Sequence, residues 1–293
     1  MTSYRIRHLT RYSYQYSVAN SYNLICLQPV SDPVQQLCSF SLHTDPAARL
    51  YPQQDWFGNH KHLLHLPHSH NGLCVVAESV VRLSEPVLRK PSGQPWTAAL
   101  GFPQSSGQQS LQAELCRKAS PMLPDLAVSQ QFIQPLADPG LTIAELACAL
   151  NEKIYQQFDY DPEFSTVVTP ISEVLHHKRG VCQDFAHLAI ACLRSLGLSA
   201  RYVSGYLETE APPGQPKLTG ADASHAWFEV WCPEQGWLGF DPTNNMQPNG
   251  RHLVLARGRD YSDVVPLKGL VLGHGDHQLS VEVDVMPITA DFS

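Results

Sequence analysis

The sequence predicts an α+β protein: an N-terminal antiparallel, sandwich-like β domain, then a domain in which helices precede an antiparallel sheet. Three observations predict it. Period-two alternation recurs through roughly the first 85 residues, as in half-buried strands. Apolar residues then fall at spacings of three and four over 142–158 and 182–196, as in helices with one buried face. After residue 200 the runs are again aromatic and β-branched, separated by turn residues. At 293 residues the chain has the length of roughly two domains.

Taken in order, Tyr4, Ile6 and His8 and then Tyr12, Tyr14, Tyr16 and Val18 alternate, which predicts a strand or hairpin. Similar runs at 23–27, 36–43, 61–66 and 72–83 are separated by Pro, Asn, Asp and Gly, the pattern of an antiparallel sandwich over 1–85. Within it, His60, His62, His65, His68 and His70 form a cluster. His60 and His62 share a strand face and could ligate a metal, but the stretch brings no Cys or carboxylate as a third ligand. It reads as a polar edge, and no metal is assigned. Residues 86–110 hold Pro86, Pro91, Pro95 and Pro103 among Gly, Ser and Gln, a linker or strap.

The second domain is 111–293. Its clearest helix is 142–158, where Thr142 with Glu145 makes a capping box and Ile143, Leu146, Ala147, Leu150 and Ile154 form the stripe. A short helix follows at 171–175. Residues 258–266 read as a surface loop. The alternation Leu279, Val281, Val283, Val285 predicts a last strand beside the 225–241 hairpin or in an adjoining sheet.

A formal net charge of −7 without a Lys/Arg run argues against nucleic acid as a partner. No apolar run approaches the roughly 20 residues of a membrane span. The first residues read as strand rather than export signal, so a cytoplasmic location is expected. The eight cysteines, including Cys148 inside an apolar run, then read as buried free thiols.

The chemistry centres on Arg179-Gly180-Val181-Cys182-Gln183-Asp184. A glycine-bearing turn delivers Cys182 to the first turn of a helix whose stripe runs Phe185, Leu188, Ala189, Cys192, Leu193, Leu196 and ends at Gly197. Unpaired N–H groups and the helix dipole favour a nucleophilic sulfur there. Cys192 lies on the stripe and should be inert, and Asp184 should stabilise the helix start. Downstream, His225 opens a strand-like run and Asp241 ends a second one across a hairpin. Cys, His and Asp supply nucleophile, base and a group that orients the base. The same residue types could instead hold zinc.

The ordered motifs Gly-Val-Cys182, His225-Ala-Trp-Phe-Glu-Val and Gly-Trp…Asp241-Pro-Thr resemble the transglutaminase-like cysteine enzyme superfamily, as does Gly197-Leu-Ser-Ala-Arg201-Tyr-Val-Ser-Gly205-Tyr between them. Arg7-His8-Leu-Thr10-Arg-Tyr12 and Asp55-Trp-Phe-Gly58-Asn59 resemble the β-rich N-terminal region of bacterial members. The resemblance implies a papain-like core and a Cys182–His225–Asp241 triad forming an acyl-enzyme on protein or peptide amides. A primary amine or water would accept the acyl group, with no cofactor. A cysteine protease or amidase, or a catalytically silent binding module of the same fold, are the alternatives. The Cys182 N–H is one oxyanion donor; Gln183 is a second candidate or faces solvent, and Trp227 is a candidate substrate contact or core.

Overall fold

The computed structural model describes residues 1–84, 93–100, 107–209 and 224–288. The opening alternation is one long strand, β1 (Thr2–Val18), followed by β2 (Asn20–Gln28), β3 (Gln35–Asp45), β4 (Leu50–Gln54), β5 (His60–Leu66) and β6 (His70–Leu83). β4 was invisible in the sequence because Pro52 interrupts a short, mostly exposed run. A proline is tolerated there because β4 is the outermost strand of its sheet.

Parts of the expected linker, 86–92 and 101–106, lie outside the described residues. The described part is anchored: Trp96 is buried and its Nε1–H donates to the Asp138 carbonyl at 2.9 Å. The helical region holds α1 (Gln108–Leu115), α2 (Gln130–Ile133), α3 (Ile143–Gln157), β7 (Asp159–Tyr160), α4 (Ile171–His177), β8 (Arg179–Gly180) and α5 (Cys182–Ser195). The capping box of α3 forms, with the Glu145 N–H on Thr142 Oγ1 at 3.2 Å and the Thr142 N–H on Glu145 Oε2 at 2.8 Å. Cys148 corrects its expected burial: it faces outward from α3 and is exposed, because it falls off the stripe that buries Leu146, Ala147, Leu150 and Ile154.

α5 is the centre of the second domain, with every residue from Asp184 to Arg194 buried. It ends as its sequence dictates. Gly197 takes φ +84°, its N–H reaches the Arg194 carbonyl, and the Leu198 N–H reaches Leu193, a Schellman cap. Then come β9 (Ala200–Leu207), β10 (Ser224–Cys232), β11 (Gly236–Phe240), β12 (His252–Gly258), α6 (Tyr261–Val264), β13 (Leu267–Leu272) and β14 (His277–Ile288).

Among the described residues, three four-stranded sheets result, ordered β14-β1-β6-β3, β13-β2-β5-β4 and β11-β10-β9-β12. The first two share one apolar core, with Ile6, Val75, Val81 and Val285 from one and Ile25, Leu27 and Leu64 from the other. The third packs against α3 and α5. The final alternation does lie in an adjoining sheet: β14 runs antiparallel to β1, and β13 to β2. These strands belong by hydrogen bonding to the N-terminal sheets, although they fall within 111–293.

The edge strand β12 is finished by side chains from the first domain. Gln35 accepts the Val254 N–H and donates to the Val254 carbonyl, both at 2.7 Å. Asn59 does the same for Arg257, at 2.8 and 2.6 Å. Each amide stands in for a strand residue, so the edge keeps no orphaned backbone groups there. The Asp55–Asn59 turn exists to present this amide: Asp55 Oδ1 accepts the Phe57 and Asn59 N–H groups, and Gly58 takes φ +84°. Beside it, Arg257 bridges Asp32 at 2.7 Å to Glu229 at 3.2 Å. Gln35→Ala strands a buried N–H and a buried carbonyl, so a loss of roughly 2–4 kcal/mol is expected. It is read as a lower denaturation midpoint in urea, and an unchanged midpoint would refute the edge-completion account.

Candidate active site

The approach to Cys182 is set by backbone constraints. A Cβ on Gly180 would meet Asp184 Oδ2 at 2.9 Å, because that carboxylate folds back to accept the Val181 N–H at 2.8 Å and the Ser165 hydroxyl. Asp184 therefore caps α5, as expected. Burial raises its pKa, and those two hydrogen bonds oppose the rise. Cys182 follows as the first helical residue, half-buried.

His225 stands on β10, opposite Gly205 of β9. Its Nε2 lies 2.8 Å from Asp241 Oδ2, which leaves Nδ1 for the hydrogen bond it shares with the Cys182 thiol. The hairpin of β10 and β11 brings Asp241, just beyond Phe240, beneath that ring. Burial would lower the His225 pKa, but the Asp241 and Cys182 partners outweigh it and push it up to about 10. Asp241 is fully buried. Burial would raise its pKa, yet the donated hydrogen bonds of His225, His252 and Asn244 and the His225 charge hold it well below the usual carboxylate range. The structure thus brings Cys182, His225 and Asp241 together.

Two residues join them that the sequence reading passed over. His252, the first residue of β12, places Nε2 3.1 Å from Asp241 Oδ2. Tyr160 on β7 pairs with Gly180 of β8 and is largely exposed; its pKa is raised by partial burial and by the Cys182 charge. A lone His ahead of Leu-Val-Leu-Ala and a Tyr leading into a loop carry no local signal of this.

Gln183 and Trp227 are corrected. The Gln183 Nε2–H donates to the Val167 carbonyl at 3.1 Å, so its amide donor braces a loop. Trp227 is 1 % exposed and packs edge-on to His252 at 5.3 Å and tilted to His225 at 6.0 Å. It offers no surface to a substrate. It fits because Gly205 lacks a side chain: a Cβ there would sit 2.5 Å from the indole. Cys192 is buried on the α5 stripe, which pushes its thiol up to about 12.

The segment 258–266, read as a surface loop, is a half-buried clamp with Gly258, Asp260 and Val264 buried. Asp260 is fully buried and accepts the N–H groups of Met122 and Ser262. The Tyr261 N–H donates to His187 Nε2 at 3.1 Å. Burial lowers the His187 pKa to about 4, which keeps that nitrogen an acceptor.

The histidine cluster disperses. His62 lies against Phe40, His65 stacks on Tyr22 at 4.2 Å, and His70 meets Ser21 Oγ at 3.1 Å. Among the described residues, the metal-ligating side chains that do converge are His225, Asp241 and His252, within 4.8 Å. Their chemistry does not suit a cation. Both imidazoles direct Nε2 at the same Asp241 oxygen, so each points a proton, not a lone pair, into the would-be site.

The chain is similar to known proteins over nearly its whole length. The transglutaminase-like superfamily core matches residues 127–242, and the bacterial transglutaminase-like N-terminal region matches residues 4–82. An uncharacterized protein of Mycobacterium tuberculosis is 38% identical over 98% of this chain and 94% of its own length. A protein-glutamine gamma-glutamyltransferase of Pseudomonas aeruginosa is 34% identical over 49% of this chain and 22% of its own. The crystal structure of a proposed cysteine protease from Cytophaga hutchinsonii superposes with a TM-score of 0.77 at 18% identity, covering 100% of this chain and 92% of that one, a likeness of fold. The chain belongs to the transglutaminase-like superfamily, with the N-terminal region of its bacterial members.

Proposed function

We propose that the protein performs thiol-dependent acyl chemistry on peptide or protein amides, with Cys182 as nucleophile, His225 as acid and base, and Asp241 orienting His225. The observation that carries this reading is His225 held between the Cys182 thiol and a buried carboxylate. In that setting the imidazolium persists beside the sulfur through neutral pH, as a nucleophilic thiolate requires.

The sulfur attacks the amide carbonyl carbon and the C=O π pair moves onto oxygen. When the tetrahedral species collapses, the C–N bond breaks and the departing nitrogen takes the proton from His225 Nδ1. A thioester and an amine, or ammonia from a glutamine side chain, result. Neutral His225 then removes a proton from water or a primary amine as it attacks, and the C–S bond breaks to return the thiolate. Asp241 holds the Nε2–H throughout and keeps Nδ1 aimed at the sulfur.

For the oxyanion, the Cys182 N–H at the head of α5 is one donor and the Tyr160 hydroxyl, whose ionisation partial burial and the Cys182 charge both oppose, is the second. Tyr160→Phe is expected to lower kcat on the order of 10²-fold with a smaller change in KM. An unaltered kcat removes Tyr160 from the mechanism.

Glutamine is the proposed donor because the Pseudomonas relative carries that activity in its name. The deciding measurement is mass spectrometry of a glutamine-peptide pool incubated with the protein, with and without a primary amine, using Cys182→Ala as control. Amine incorporation shows a transferase, conversion to glutamate a deamidase, and new termini a protease. No Cys182-dependent change in any channel defeats the proposal.

A further inference from the structure

We propose that His252 is a positioning residue of this site, holding Asp241 so that one carboxylate oxygen stays on His225; this rests on the triad reading above. The ring is locked by its own turn. The His252 N–H bonds the Asn249 carbonyl at 3.0 Å, and the Asn249 N–H comes back to His252 Nδ1 at 3.2 Å. Nδ1 also lies 3.3 Å from Asn249 Oδ1, but the buried Asp241 carboxylate 3.1 Å from Nε2 is the stronger acceptor, so the ring proton sits on Nε2. The opposite tautomer would set a lone pair against a buried anion. Burial also keeps the ring neutral, lowering its pKa despite Asp241.

Asp241 is surrounded by donors of two kinds. Oδ1 takes the N–H groups of Thr243 and Asn244, and Oδ2 takes Asn244 Nδ2 at 2.7 Å. All of these come from the turn Asp241 itself begins, so they move with it. Among the described residues, His225 on β10 and His252 on β12 are the side chains that fix it from elsewhere, and these strands flank β9 on opposite sides. His225 changes charge during turnover; His252 does not. A neutral donor on the far strand therefore keeps the carboxylate in register while its other partner gains and loses a proton. Trp227, wedged against both rings, sets their spacing. His252 is buried, so its effect is expected in kcat and not in KM.

The test compares His252→Phe and His252→Gln with the parent by two readouts. Carboxamidomethylation of Cys182 by iodoacetamide needs no substrate, and steady-state turnover uses the glutamine peptides. The Phe variant, without a donor, is expected to lose about 10- to 30-fold in kcat with KM within about twofold, and to alkylate at least about fivefold more slowly. The Gln variant can place an N–H where Nε2 was and should recover most of both rates. Nitrogen-15 spectra of the parent should show His252 bare at Nδ1 and protonated at Nε2. Parental rates in the Phe variant, equal losses in both variants, or the opposite tautomer would overturn the proposal. Turnover of the parent judges the acyl-transfer reading; alkylation rates and tautomer judge His252 independently.

Discussion

Cys182→Ala is expected to leave a folded protein without detectable turnover. Removing the nucleophile deletes the acyl-enzyme path itself, and in enzymes of this logic the loss is on the order of 10⁶-fold. The fold should survive, because Cys182 is half-buried at the edge of the core and the deletion is one atom, worth about 1 kcal/mol or less. Circular dichroism and the thermal midpoint check the fold; mass spectrometry checks for acyl-enzyme and for alkylation. Turnover retained by a well-folded Ala variant would remove Cys182 from the chemistry and with it the whole mechanism.

Asp241→Asn should be the next most damaging change, and it should damage two properties at once. Five donors converge on this carboxylate: three side-chain groups on Oδ2 and two backbone N–H groups on Oδ1. An amide offers one acceptor oxygen, so whichever way it is placed its NH₂ faces at least two N–H groups. Each lost buried hydrogen bond costs about 1–3 kcal/mol, so the midpoint should fall clearly. Activity should drop roughly 10⁴-fold and not vanish, since the nucleophile remains while His225 loses its tautomer and its counter-charge. Alkylation of Cys182 should slow in parallel. A variant with parental rates and a lowered midpoint would make Asp241 purely structural.

What was legible in the sequence was what short-range pattern encodes. The α5 stripe, the glycine at its end, and the Thr142–Glu145 capping box are all decided within a few residues, and each formed. The meeting of Cys182, His225 and Asp241 was legible because α5 and the β10–β11 hairpin are local elements whose ends carry them. His252 was not. Its meeting with Asp241 depends on β12 crossing to the far side of β9, which no spacing announces. Tyr160 depends likewise on β7 finding β8. The 258–266 clamp was misread because a polar, turn-rich run looks the same whether its carboxylates meet water or, as for Asp260, buried N–H groups. Trp227 was misread because an aromatic two residues from His225 on one strand can end in the core or at a cleft.

The completion of β12 by the amides of Gln35 and Asn59 also bears on how such a chain could have been assembled. A region beginning at residue 111, transplanted alone, would carry a strand with bare edge groups, lack its cover, and end in two strands with no sheet to join. The front half alone would lack β13 and β14. Each half thus lacks strand partners that the other supplies. Recombination that exchanges domains between relatives should therefore yield sound proteins only when the donor supplies residues 1–84 together with 252–288, and gene fusions should add partners outside this unit, never between its halves.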